Sequence, residues 1–126
     1  MNNKLFSIGP TRITNSAANY LNPPAASGGV GTTSAQVAYV RSITLVNTDS
    51  SARTVSLYKG ATAGSAGGTE IIPPTYSLSA AGVAASEVTF YYNPPLRFES
   101  TDFLSGLAST TNVVNIIITG EIGVTG

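Results

Sequence analysis

Apolar and polar residues alternate with a period of two through residues 37–59. Ile43 and Leu45 lie on one side of an extended chain, Ser42 and Thr44 on the other. After the polar segment Thr-Asp-Ser-Ser-Ala, Val55 and Leu57 alternate with Thr54, Ser56 and Tyr58. Such alternation marks strands with one buried face, and the short Asn/Asp/Ser segment between the runs predicts a hairpin loop. The pattern returns in residues 87–92, where Val88, Phe90 and Tyr92 share a face, and again in residues 96–99. It is clearest in the last strand. There Val114, Ile116, Ile118, Ile122 and Val124 point one way and Asn115, Thr119 and Glu121 the other, with Gly120 where a bulge or bend is expected.

Between these runs the chain is broken by proline, glycine and small residues. The first twenty-one residues hold two weakly apolar runs split by Gly9-Pro10. Proline cannot donate to a ladder, so this region reads as an arm or an edge strand. Residues 22–34 and 60–69 are Pro/Gly- and Gly/Ser/Ala-rich loops. Residues 70–72 and 75–78 read as short strands split by Pro73-Pro74, and Thr101-Asp102 as the cap of a single helical turn within residues 100–109. Seven or eight strands at this spacing, without a long helix, predict an all-β fold: a single antiparallel β-sandwich, jelly-roll-like, with an N-terminal arm. The arm, edge strand and Pro/Gly-rich loop occupy residues 1–36 and the sandwich core residues 37–126, one domain in total.

Composition narrows the function classes. Only 10% of residues are charged, six basic against six acidic, where an average soluble protein has roughly 25%. That balance provides no basic stripe for phosphates, so nucleic acid is not an expected partner. Low charge near zero net favours association and points to a permanent assembly. The longest apolar stretch, residues 113–118, is interrupted by Asn115 and too short to span a bilayer, and the first ten residues lack the apolar run of a secretory signal.

The chain contains no histidine and no cysteine. Its serines therefore have no imidazole to activate them, and neither an enzyme activity nor a cofactor or metal site is expected. Residues 27–33 are glycine-rich but lack the lysine and following helix of a phosphate-cradling loop. Glu99 and Asp102 are the closest acidic pair; two carboxylates are too few ligands for calcium, and capping and solvation are their expected roles. Of the six tyrosines, Tyr58 and Tyr91 fall on polar-face positions from which a ring can reach a partner.

The run from Arg41 to Tyr58, Arg-Ser-Ile-Thr-Leu-Val-Asn-Thr-Asp-Ser-Ser-Ala-Arg-Thr-Val-Ser-Leu-Tyr, resembles a pattern that recurs in small tailed-bacteriophage virion proteins. There a strand ending in Val-Asn-Thr meets a Ser/Ala/Arg turn and a strand ending in an aromatic. A Gly/Ser-rich loop, an Ile-Pro element and a Val/Ile-rich C-terminal strand follow, here residues 60–69, 71–74 and 113–124. The resemblance covers the chain from Arg41 onward. It implies a virion structural protein made in the host cytoplasm and present in many copies. Within that class it implies a capsid decoration, or cement, protein on the head surface, most often a homotrimer, whose partner is the major capsid protein or another virion protein. Leu5, Phe6 and Ile8 of the first ten residues, with Tyr58 and Tyr91, are the expected partner contacts. On this reading, removing residues 1–9 leaves the domain folded and weakens assembly. A neck, tail or short-fibre component would use the same sandwich. A surface carbohydrate-binding module would instead use Tyr58, Tyr91 or Tyr92 as its stacking platform.

Overall fold

The computed structural model describes residues 4–21, 36–61, 67–73, 75–99 and 102–124 of the chain. Nine strands run through them: β1 (Lys4–Arg12), β2 (Ala18–Leu21), β3 (Gln36–Asn47), β4 (Arg53–Gly60), β5 (Thr69–Glu70), β6 (Tyr76–Leu78), β7 (Glu87–Phe98), β8 (Phe103–Ala108) and β9 (Val114–Val124). They form two antiparallel sheets packed face to face. One has the order β1-β9-β3-β7; the other has the order β2-β8-β4, with β5 and β6 sharing the far side of β4. The fold is the expected all-β antiparallel sandwich. The loops over residues 22–34 and 62–66 lie outside the described residues.

Alternation places the core as the sequence predicts. Ile43, Leu45, Val55, Leu57, Val114, Ile116 and Ile118 are all buried between the sheets, joined by Phe98 and Leu104. Each such side chain contributes about 1.5–3 kcal/mol by leaving water.

Several expectations need correction. The segment between β3 and β4 is not a hairpin loop, because β3 lies in one sheet and β4 in the other. Residues 48–52 instead carry the chain across the sandwich, and Asn47 holds the corner. Its side chain is buried; Nδ2 donates to the carbonyls of Ser51 and Ser79, both at 2.9 Å, and Oδ1 accepts the N–H of Asp49 at 3.0 Å. Asp49 in turn pairs with Arg53, which holds its carboxyl below the usual carboxylate range. Residues 103–108, read as part of a helical turn, form β8, a strand flanked on both sides by β2 and β4.

Of the two readings of the first residues, arm or edge strand, the structure has the edge strand. Lys4–Ile8 pair with Ile122–Ile118 in register, so residues 4–12 are an edge strand, broken where Gly9 and Pro10 bulge out of the ladder. Ile13, Tyr20 and Leu21 belong to the same core as β3–β9. Removing residues 1–9 therefore strips most of a strand from the sheet. That deletion cannot serve as a clean test of assembly.

Candidate functional site

The outer face of the four-stranded sheet carries Leu5 and Tyr91, the two most exposed large hydrophobic residues described. Register fixes which residues share a row. Leu5, Glu121, Tyr39 and Arg97 lie side by side across β1, β9, β3 and β7; Ser7, Thr119, Ser42 and Tyr91 form the next row. Between the two rows β3 carries one residue more than β9, Arg41, while on the other side β7 carries residues 92–95 between the partners of Ser42 and Val40. Gly120 makes this bulge possible. A Cβ there would sit 2.0 Å from the Tyr39 carbonyl oxygen, so any side chain would push the strands apart.

The bulge turns Arg41 over its neighbours. Its guanidinium donates to Glu121 Oε2 at 3.1 Å. In the adjoining row Arg97 stacks on the Tyr39 ring at 5.9 Å and pairs with Glu99, holding that carboxyl below its ordinary range. The hydroxyls of Ser42 and Thr119 hydrogen-bond to each other, as do those of Thr44 and Thr89 at 2.9 Å. An open groove of about 430 Å³ crosses the β1 side of this face, lined by Leu5, Phe6, Ser7, Arg41, Thr119 and Gly120.

The five expected contact residues do not form one patch. Leu5 and Tyr91 are each 81% exposed and share this face, but they stand on its two opposite edge strands, three strand spacings or about 15 Å apart. Phe6 and Ile8 turn inward and cover the core margin. Tyr58 is half-buried on β4, in the other sheet, between Ser105 and Glu70.

Of the three tyrosines considered as a stacking platform, only Tyr91 presents an exposed ring. Tyr92 packs against the core and its hydroxyl donates to the Ile71 carbonyl at 3.0 Å; burial pushes that hydroxyl up to about 12. Asp102 caps no helix, because the residues after it form β8. Asp102 accepts the Glu99 N–H at 2.8 Å, closing the turn into β8, and lies 3.8 Å from Lys59. Among the described residues no three acidic groups converge where they could hold a metal ion. The glycine-rich segment 27–33 lies outside the described residues.

None of Tyr39, Arg41, Arg97 and Glu121 was among the expected contact residues. The alternation around Tyr39 and Arg41 carried a signal for the outer face, but the row that unites all four exists only once the order of strands is known. A scan against protein-family models finds no match to this chain, and a search of curated proteins finds none.

Proposed function

We propose that this chain is a non-enzymatic structural protein of a virion, and within that class a decoration protein of a tailed-bacteriophage head. The observation that carries the reading is the order of strands. β5 and β6 lie along the same side of β4, interrupted by residues 71–75, and count as two halves of one strand. The sheets then read β1-β9-β3-β7 and β2-β8-β4-β5/6, the order obtained when a long antiparallel hairpin is wrapped over two sheets. That order supports the jelly-roll reading, an architecture used by viral capsid and lectin domains.

The disposition of charge supports a mechanical role. Glu121, Asp49, Glu99 and Asp102 each face a cation: Arg41, Arg53, Arg97 and Lys59. Asp49 and Glu99 are pushed toward the ionised form rather than held as proton donors. General acid catalysis needs the opposite shift. The function is then to bury surface against several capsid subunits so that the shell resists internal pressure, with copies of the chain themselves associating, as a trimer on the family pattern.

The same strand order and the exposed Tyr91 ring favour a second reading, a carbohydrate-binding module. The two separate in a quantitative protein census of purified particles made from the genome that encodes the chain. A copy number comparable to the major capsid protein supports decoration, and a dozen or fewer moves the protein to the neck or tail. Absence from particles refutes the virion reading, and a glycan array then tests Tyr91 directly.

A further inference from the structure

We propose that copies of this chain join head to tail, β1 of one against β7 of the next, so that the four-stranded sheet continues from copy to copy. This concerns how copies meet and does not depend on which particle they belong to.

β1 and β7 are the two outer strands of the same sheet. Three antiparallel pairings separate them, so they run in opposite directions. Laying the β1 edge beside the β7 edge of an equally oriented copy therefore extends an antiparallel ladder. The contact is heterologous and closes into a ring when the rotation between copies allows.

The two strands match in length and in pattern. β1 is regular over residues 4–8, up to the Gly9-Pro10 break; β7 pairs regularly over Glu87–Tyr91, up to the break at Asn93-Pro94-Pro95. Prolines that blunt an edge elsewhere here confine pairing to one segment of each strand. Set Leu5 opposite Tyr91 of the next copy. The two most exposed large hydrophobic residues described then become neighbours on the outer face. Ser7 meets Thr89 beside them. On the inner face Phe6 meets Phe90 and Ile8 meets Val88, four side chains left half-buried at the core margin of the single chain.

Backbone parity agrees with this register. In an antiparallel sheet hydrogen-bonded and non-hydrogen-bonded pairs alternate across a row. The row Ser7–Thr119–Ser42–Tyr91 contains three pairings. Ser7, and with it Leu5, thus turns its N–H and C=O groups in the same sense as Tyr91, both toward the sheet or both toward its edge. Charge offers no clash: the facing segments, residues 4–8 and 87–91, carry only Lys4 and Glu87. Main-chain hydrogen bonds along the two edges supply the affinity of such a contact, and the side-chain pairs fix its register.

The chain has no cysteine, so introduced thiols report one contact only. Leu5→Cys and Tyr91→Cys are made as separate full-length proteins; at 81% exposure neither disturbs the core. Cross-strand neighbours are close enough for a disulfide. Under mild oxidation the mixture is expected to give a disulfide-linked dimer, while each variant alone stays unlinked. Absence of cross-linking in the mixture overturns the contact, and so does equal cross-linking of either variant alone, which would mean a two-fold contact. Sedimentation of the unmodified chain is expected to rise with concentration to a defined oligomer; a monomer throughout overturns it too. None of these failures bears on the particle census.

Discussion

Replacing Asn47 with alanine tests whether one amide holds the corner between the two sheets. The side chain is 2% exposed and makes three hydrogen bonds, two as donor to Ser51 and Ser79 and one as acceptor from Asp49. Each such bond contributes about 1 kcal/mol, and a partner left dry costs about 1–3 kcal/mol. The Ser51–Asp49 end reaches solvent and can be rehydrated, so the expected loss is about 3 kcal/mol, a large part of the roughly 5–15 kcal/mol available to a domain. The corresponding fall in melting temperature is about 10 °C. Urea unfolding should show a lower midpoint with an unchanged slope. Asn47→Asp separates donation from acceptance. It keeps the acceptor for Asp49 but points a carboxylate at two carbonyl oxygens, so at neutral pH it should lose more than alanine. Protonating that carboxylate restores a donor, and the variant should regain stability as pH falls. A loss below about 1 kcal/mol for Asn47→Ala, on the scale of a single exposed hydrogen bond, would refute the reasoning.

Gly120→Ala places a methyl group 2.0 Å from the Tyr39 carbonyl oxygen, which can be relieved only by opening β9 from β3; a loss of at least about 3 kcal/mol is expected in the same assay. Tyr92→Phe removes the bond to the Ile71 carbonyl and should cost about 1 kcal/mol at neutral pH. Tyr92 ionises at about 12 in the folded chain against 10.0 ordinarily. Its contribution is thus complete below pH 10 and lost as pH rises toward 12. The phenylalanine variant should lack that part of the alkaline decline, and an unchanged profile would count against it.

Which residues are buried was legible from the sequence; which strands are neighbours was not. Ile43, Leu45, Val55 and Leu57 announced their faces by period alone, and Val114, Ile116 and Ile118 did the same. Period says nothing of partners, however. The five residues between β3 and β4 would suit a hairpin or a crossing between layers equally well, and Asn47 decides for the crossing through a contact with Ser79 that is remote in sequence. β8 was hidden for another reason. Ser105 is buried because its hydroxyl donates to Asn19, and Gly106 because Leu57 and the Ser56 carbonyl leave no room for a Cβ. Polar and small residues at buried positions erase the alternation that would have marked the strand. The outer-face rows failed to appear for the same reason as the corner. They join residues from four strands, and the bulge at Arg41 moves the register between them.

The order of strands also governs when this protein can exist. β9 lies between β1 and β3, and β8 between β2 and β4, so in each sheet a late strand is inserted between two early ones. A chain emerging from the ribosome through β7 has β1 and β3 in hand, but no ladder joins them until β9 arrives. Lys4 must wait for Ile122. Contacts so distant in sequence make folding slow and follow synthesis rather than accompany it. During that delay the edges of β1 and β7 are not yet fixed in one sheet. A nascent chain on this topology therefore has no four-stranded sheet until β9 has been made.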